Sequence, residues 1–440
     1  MWKQVFSAIA IAASLLTGCS HTSTEPQSAF IQVKNGQFIR NGQPYYYVGA
    51  NFWFGAILAS EGTGGDRERL HRELDSLKAI GADNLRILVG SDGKRGVPTK
   101  VEPTLQEAPG VYNDTILAGL DYLLAEMEKR GMTAVLYLNN SWEWSGGYSQ
   151  YLAWATGTQA PVPAVDGWPA YMEYVKQFVR SDSAQALFAD HVRYIIGRTN
   201  RYTHRKYTDD PTILSWQIGN EPRAFSTENK EAFARWMGSV SALIRSLDPN
   251  HLISTGSEGK HGCEEDIALF EQIHADPNIG YMNIHIWSYN WGWAPKDSLQ
   301  ANLDKARTLT RDYIDEHLNI AKKYRKPLVI EEFGYPRDGF QFGKNISTHA
   351  RDGYYKCIFD LIVEHANANS LLAGCNFWGW GGLTVPSPEH VFWQPGDDYT
   401  GDPAQEEQGL NSVFASDTST VGLIRQTNNI LIHKLRQTLK

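Results

Sequence analysis

Ile213-Leu-Ser-Trp-Gln-Ile-Gly-Asn-Glu-Pro222 begins as an apolar run and stops abruptly in Asn220, Glu221 and Pro222. Apolar residues bounded by Gly219 and Pro222 predict a buried strand. A carboxylate at the end of such a strand either faces solvent or belongs to a site built where strands end. The chain on either side decides between the two.

Outward from this stretch, short apolar runs alternate with longer amphipathic ones. The short runs lie at 45–50, 84–89, 133–139, 213–219, 252–255, 282–286, 327–330 and 372–377. The runs that follow them predict helices near 66–80, 113–130, 183–202, 229–247, 264–275, 298–324, 350–367 and 420–439. In the first of these, Leu70, Leu74, Leu77 and Ile80 recur at helical spacing. Apolar strands separated by crossover helices predict a parallel sheet covered on both faces. Eight such units predict an α/β fold closed as a (β/α)8 TIM barrel with long loops at the C-terminal face of the strands. A doubly wound open sheet would carry a Gly-rich phosphate turn after its first strand. Here that strand runs into Gly49-Ala-Asn-Phe-Trp53.

The composition fits this frame. The 440 residues are 42% hydrophobic and 20% charged, which is ordinary for a globular protein. The aromatic content is not ordinary, with 14 Trp, 21 Tyr and 17 Phe, many of them in Gly-rich stretches. Such aromatics suit a surface that stacks flat ligands, sugars first among them. The net charge of −8 carries no basic run or stripe, so no nucleic acid partner is expected.

Active-site residues of a barrel sit at the C-terminal ends of its strands. The strand ends here hold Asn51 and Trp53, Arg86, Asn139 and Trp142, Asn220 and Glu221, His285 and Trp287, Glu331 and Glu332, and Trp378 and Trp380. The loop after His285 adds Tyr289, Trp291 and Trp293, and only the fifth strand ends without a conspicuous group. Two carboxylates with amides, an imidazole, a guanidinium and indoles around them are the groups that glycoside hydrolysis needs. One carboxylic acid protonates the leaving oxygen, and a carboxylate works from the other face of the sugar.

The ordered set Asn220-Glu221-Pro222, Glu332-Phe-Gly334, Arg86, His285 and Trp378 resembles glycoside hydrolase family 5 over essentially the whole mature chain. The segments Asn139-Asn-Ser-Trp142 and His285-Ile-Trp-Ser-Tyr-Asn-Trp291 are similar to its β-mannan-degrading branch. The resemblance implies a retaining mechanism with no metal or organic cofactor. It implies that Glu221 is the acid/base, its pKa raised by the nearby nucleophile carboxylate so that it rests protonated. It implies that Glu332 is the nucleophile. Period-two alternation would put Glu331 and Glu332 on opposite faces, so that only one enters the mouth, with Glu331 as the alternative. Arg86 would hold the nucleophile ionised, Asn220 would bond the sugar 2-hydroxyl, and His285 would orient groups near the leaving oxygen. Trp378 would be the platform in the cleavage subsite. Asn139, Trp142 and Trp291 would join them in binding substrate, as would Trp287, which stands where many members have Tyr. Indole has no hydroxyl, so another group, Tyr289 first, is expected to take over that tyrosine's hold on the nucleophile. Asp397, Asp398 and Asp402 lack an ordered calcium spacing and are expected in a solvated loop.

About 40 residues separate Trp378 from the last helix, whereas structureless loops beyond about 12–15 residues are uncommon and usually functional. Such a loop, leaving from the active-site face, would wall off the cleft. The loop 140–182 would narrow the mouth further. The expectation is an exo-acting β-mannosidase that releases mannose from the non-reducing end of manno-oligosaccharides. The alternatives are an endo-β-1,4-mannanase with an open cleft, an endo-β-1,4-glucanase, and a non-catalytic glycan-binding lipoprotein.

The N-terminus reads separately. A short positive start and the apolar stretch Val5 to Leu16 predict a signal peptide, too short for a spanning helix. Leu16-Thr-Gly-Cys19 resembles the bacterial lipoprotein cleavage box. It implies a leader over 1–18, a lipid on Cys19, a tether over 19–28, and a single catalytic domain over 29–440. The location implied is the cell envelope, anchored at the outer membrane, with secretion as the alternative; the lipid on Cys19 would be the chain's one link to a membrane. Cys263, Cys357 and Cys375 then allow at most one disulfide and show no zinc-site spacing.

Overall fold

Each of the eight apolar runs forms a strand: β1 (Tyr47–Asn51), β2 (Asn84–Leu88), β3 (Thr133–Tyr137), β4 (Ile213–Gln217), β5 (Leu252–Ser254), β6 (Met282–Ile286), β7 (Leu328–Phe333) and β8 (Leu372–Phe377). This computed structural model describes residues 28–343 and 345–437. The leader, Cys19 and nearly all of the tether lie outside the described residues.

The strands are parallel and pair in chain order from β5 back to β1, then to β8, β7 and β6. The seam between β5 and β6 is closed by other bonds. The Gly280 N–H donates to the Ile253 carbonyl at 2.8 Å. The Asn283 side chain accepts from the Gly256 N–H and donates to the Ser257 carbonyl, each at 3.0 Å. The sheet is therefore the (β/α)8 barrel that the alternation predicts.

Eight helices follow the strands: α1 (Arg67–Ala79), α2 (Asp114–Lys129), α3 (Asp182–Ile196), α4 (Lys230–Leu247), α5 (Ile267–His274), α6 (Leu303–Tyr324), α7 (His349–Asn367) and α8 (Thr418–Gln437). Their starts are written locally. Asp66, Asn113, Ser181 and Asp266 accept hydrogen bonds from the first free N–H groups of α1, α2, α3 and α5. None of the described helices is long and apolar enough to cross a membrane.

Two of the features that lie outside the alternation bear on the site. A three-stranded antiparallel sheet, Gln32–Lys34, Gln37–Arg40 and Gln43–Pro44, precedes β1. Its Phe38, with Ile31 and Tyr45, packs against Val135, Leu214, Tyr281, Val329 and Ala373, the inward residues at the lower end of the barrel. This sheet is a plug, and it leaves the C-terminal end as the open face. The loop after β3 also carries three short helices, Gly147–Thr156, Pro163–Asp166 and Trp168–Val175, and is not merely extended chain.

The strand β7 departs from strict alternation. Its register against β6 shifts, so that Ile284 faces Ile330 while His285 faces Glu332. Glu331 is thus the extra residue of a β-bulge. Phe333 points outward, against Tyr355 and Phe359 of α7. Glu331 and Glu332 both point inward. The expectation that only one of them could enter the barrel is corrected: one inserted residue moves the next side chain back to the same face.

Phe38→Ala should cost about 3–5 kcal/mol, because it opens a cavity between the plug and Tyr281. Denaturant unfolding of parent and variant measures this. A loss below about 1 kcal/mol would mean that the plug does not support the barrel floor.

Candidate active site

The site is built from strand ends upward. Beyond β4 the backbone stays paired with the end of β3: Asn220 N–H donates to the Asn139 carbonyl at 2.8 Å, and Ser141 N–H to the Asn220 carbonyl at 3.0 Å. Glu221 then takes a left-handed conformation, φ 49°, uncommon for a residue with a side chain. Its N–H is held by the Gly256 carbonyl at 2.9 Å, and the turn aims its carboxyl into the mouth.

Arg86 is fully buried beneath this mouth. Its guanidinium donates to Glu332 Oε1, to Asn220 Oδ1 at 2.8 Å, to Gln217 Oε1 at 2.7 Å and to Asn51 Oδ1 at 3.1 Å. The ring of Tyr137 lies 4.3 Å from its central carbon. Glu331 sits one level lower. It accepts from the Tyr281 hydroxyl at 2.7 Å and from the Gln217 amide, and burial pushes its carboxyl up from the usual range. Glu332, not Glu331, reaches the cavity.

His285 joins the two candidate carboxylates. Its Nδ1 lies 2.9 Å from Glu221 Oε1 and 3.3 Å from Glu332 Oε2. Burial alone would lower its pKa, but the charge of Glu332 and the bonds to both carboxylates raise it to about 9. For Glu221, burial acts upward, and the bond and charge of His285, with Arg223 and the Trp142 N–H, outweigh it. The Trp142 indole donates to Glu221 Oε2 at 2.5 Å. The carboxyl is held below its ordinary value, which corrects the expectation that it rests protonated. The bond to His285 that lowers Glu221 is also one that raises His285.

The hold on Glu332 expected of Tyr289 falls elsewhere. Trp287 Nε1 lies 3.3 Å from Glu332 Oε2, while Tyr289 turns away to the Asn411 amide and the ring of Phe340. The indole itself supplies the donor.

These groups floor a cavity of about 370 Å3. Trp142, Asn220, Glu221, Trp287, Trp291, Glu332 and Trp378 line it. Arg86 and His285 lie beneath it and reach it through the residues they hold. Asn139 does not line it: it is fully buried, and its side-chain Oδ1 accepts from the Asn140 N–H at 2.8 Å. Asp402 is also not in a solvated loop. It is buried, accepting from the N–H groups of Gly409, Asn411 and Ser412 at 2.8, 2.9 and 3.2 Å.

Several lining residues were not anticipated. Trp144, Trp168, Met172 and Asn290 come from the loops after β3 and β6. Arg223, directly after Pro222, donates to Glu258, which burial pushes up to about 7. Glu258 lies four residues past β5, and looking only at the strand end missed it. Gln405 and Glu406 come from the long loop after β8, where no local pattern marks them.

Among the described residues, Glu221, His285 and Glu332 are the group with ligand atoms close enough, within 4.8 Å, to suit a metal ion. The geometry disfavours that use. Nδ1 of His285 is already engaged by both carboxylates, and Arg86 supplies Glu332 with a positive charge.

Residues 28–436 match a family model described as glycoside hydrolase family 5 beta-mannosidase-like. Among curated proteins, the chain is 28% identical over 371 residues to mannan endo-1,4-beta-mannosidase 7 of Arabidopsis thaliana, covering 81% of this chain and 79% of that one. It is 28% identical over 411 residues to mannan endo-1,4-beta-mannosidase 1 of Oryza sativa subsp. japonica, covering 90% and 84%. Among solved structures, it is similar to the glycoside hydrolase family 5 mannosidase from Rhizomucor miehei, at 33% identity and a TM-score of 0.83, covering 93% of this chain and 99% of that one. A mutant of that enzyme, in complex with mannosyl-fructose, gives 33% and 0.85, covering 93% and 99%.

The His285 imidazole should titrate near pH 9 in the free enzyme rather than near its ordinary 6.5. Its folded pKa is raised, so its contribution to stability is complete below pH 6.5 and is lost as pH rises through 9. Nitrogen NMR of the histidines checks this. Glu221→Gln should lower the value; a His285 that titrates near 6.5 in both proteins would overturn the assigned charge state.

Proposed function

We propose that this chain, which belongs to the β-mannosidase-like glycoside hydrolases of family 5 and is a glycoside hydrolase of the mannosidase and mannanase group, is an exo-acting, retaining β-mannosidase. It would take the non-reducing end of β-1,4-linked manno-oligosaccharides and release mannose.

The observation that carries the exo assignment is the course of the loop after β8. It folds back over the mouth and sets Gln405 and Glu406 into the wall of the catalytic cavity. Trp53, Trp144 and Trp378 stand edge to face beside it, with ring centroids 5.7 and 6.4 Å apart, and the Trp53 indole donates to the Gly401 carbonyl of the loop at 3.0 Å. Sugars beyond the cleaved unit would have to cross this wall. The endo alternative draws support from the names of the plant relatives.

A retaining course is supported by spacing. Oxygens of Glu221 and Glu332 lie within 4.8 Å, closer to the roughly 5–5.5 Å of retaining pairs than to the roughly 6.5–9.5 Å of inverting ones. In the proposed sequence, Glu332 attacks the anomeric carbon and the leaving oxygen takes a proton from Glu221. The proton reaches Glu221 across the 2.9 Å bond from His285. Substrate drives that transfer by expelling water, which disfavours the Glu221 anion and the His285 cation together. The glycosyl-enzyme bond then neutralises Glu332, and Glu221, now anionic, takes a proton from the attacking water. Asn220, fixed by Arg86, is placed to meet the 2-hydroxyl. The lipid anchor on Cys19 and an envelope location belong to the same proposal and rest on the Leu16-Thr-Gly-Cys19 motif.

Mannohexaose should give mannose as the first product, as the β-anomer by proton NMR. Mixed mannobiose and mannotriose at early times would favour the endo alternative, and α-mannose would overturn retention. Glu221→Gln should lower kcat on mannobiose by about 10²–10⁴, the usual worth of general acid–base catalysis. Cys19→Ser should move the protein from the membrane fraction to the soluble one.

A further inference from the structure

Glu331 is the inserted residue of the β7 bulge, and its place gives it two holds on the partners of Arg86. Its backbone carbonyl accepts from the Asn51 amide at 2.8 Å, and Asn51 Oδ1 accepts from the Arg86 guanidinium at 3.1 Å. Its carboxyl accepts from the Gln217 amide, and Gln217 Oε1 accepts from Arg86 Nε at 2.7 Å. Arginine offers no acceptor, so Gln217 must turn its oxygen to Nε. Its nitrogen then faces Glu331 and the Ser254 hydroxyl, 3.0 Å away. Two of the oxygens that fix the guanidinium are thus themselves fixed by one residue, and the other two belong to Asn220 and Glu332.

The surroundings of the Glu331 carboxyl give it no counter-charge of its own. It is fully buried. Arg86 of β2 and His285 of β6 face it, Glu332 follows it on β7, and Tyr281 and Tyr47 stand against it from the residue before β6 and from β1. Arg86 Nε lies 4.0 Å from Glu331 Oε2, yet it gives its hydrogen to the neutral amide of Gln217, and the guanidinium meets Glu332 directly. His285 bonds to Glu221 and Glu332. Burial holds both tyrosines in their neutral form. An anion enclosed in this way costs the fold several kcal/mol. A neutral acid does not. The Tyr281 hydroxyl lies 2.7 Å from Glu331 Oε1 and 2.9 Å from Ser215 Oγ, so it can donate to Ser215 and receive the carboxyl proton on its oxygen. Burial, which raises this carboxyl, acts in the same direction.

We infer that Glu331 is a positioning residue for the nucleophile, an uncharged acid that braces Arg86 from below through Gln217 and Asn51. Braced, the guanidinium points at Glu332 and keeps it ionised for attack. Uncharged, Glu331 draws none of that positive charge to itself. This rests on the assignment of Glu332 as the nucleophile above.

The test uses the full chain and an aryl β-mannoside. Glu331→Leu nearly keeps the volume and removes the hold on Gln217. Glu331→Gln offers Gln217 a carbonyl and Tyr281 an N–H, which is what a neutral acid offers. In Glu331→Leu the acidic limb of kcat/KM should move up by about one pH unit, a rate about tenfold lower below the limb, with the loss in kcat and not in KM. Gln217→Leu should do the same, and the double variant should lose no more than either alone, because both act on one bond. Glu331→Gln should restore the parent's limb and most of its kcat. The infrared difference between parent and Glu331→Gln at neutral pH should contain a protonated-carboxyl band, a readout that stands even if Glu331→Leu fails to fold. A limb that Glu331→Gln moves to lower pH would mean an ionised Glu331 competing for Arg86, and would overturn the brace. A folded Glu331→Leu with the parent's limb, or a difference spectrum without the carboxyl band, would overturn it too. Trapping the parent with 2-deoxy-2-fluoro-β-mannosyl fluoride, followed by peptide mass spectrometry, keeps the premise separate. A label on Glu332 leaves the nucleophile standing whatever the limbs do. A label on Glu331 or elsewhere removes that assignment and the brace with it.

Discussion

The buried guanidinium of Arg86 is the constraint on which the mouth of the barrel depends. A charge taken out of water must be met by partners, or the fold loses several kcal/mol. Arg86 directs its donors to three strands, Asn51 at the end of β1, Gln217 and Asn220 at β4, and Glu332 at β7, and a fourth, β3, sets Tyr137 against its face. The same contacts that satisfy the charge fix the two groups placed to touch sugar. Asn220 and Glu332 are in position because a cation beneath them requires oxygens there. Stability and site geometry are one requirement at this point in the chain.

A second cation completes the balance. Glu221 and Glu332 bring two negative charges into one small cavity, which would ordinarily force a proton onto one carboxyl. Arg86 and His285, whose pKa the neighbouring carboxylates raise, relieve that pressure. His285 lies within bonding reach of both carboxylates, so the three groups form one hydrogen-bonded unit.

The barrel was legible because its signal is spread over eight units, and a boundary error of a few residues in any one does not change the alternation. The residues at strand ends were legible for the same reason, since strands placed Arg86, Glu221, His285 and Glu332 at one face. What was not legible depends on geometry that is local and non-periodic. The bulge at Glu331 leaves no mark in the order of residues, yet it decides that both acids enter the barrel. The protonation of Glu221 was not legible because it turns on His285, 64 residues from it in the chain but bonded to it in the barrel mouth at 2.9 Å. The plug at residues 32–44 consists of strands of two to four residues, too short to show a period. Gln405 and Glu406 could not be found from type or spacing, because their place is set by how Asp402 and Gln408 fold the loop around them.

That last point bears on how such an enzyme acquires its mode of attack. The chemistry needs side chains on strands, where the sheet fixes them to a fraction of an ångström, and these tolerate little change. The wall is made differently. Many of its backbone groups are satisfied inside the loop by Asp402 and Gln408, and others by the barrel: Arg337 and Arg351 donate to the carbonyls of Gly409, Leu410 and Ser412, and Trp53 to that of Gly401. None of these bonds involves Arg86, His285 or the two carboxylates below, so the loop can vary without disturbing their charge balance. Gln405 and Glu406 stand within the same cavity as Glu332, yet they are placed there by the loop and not by the strand ends.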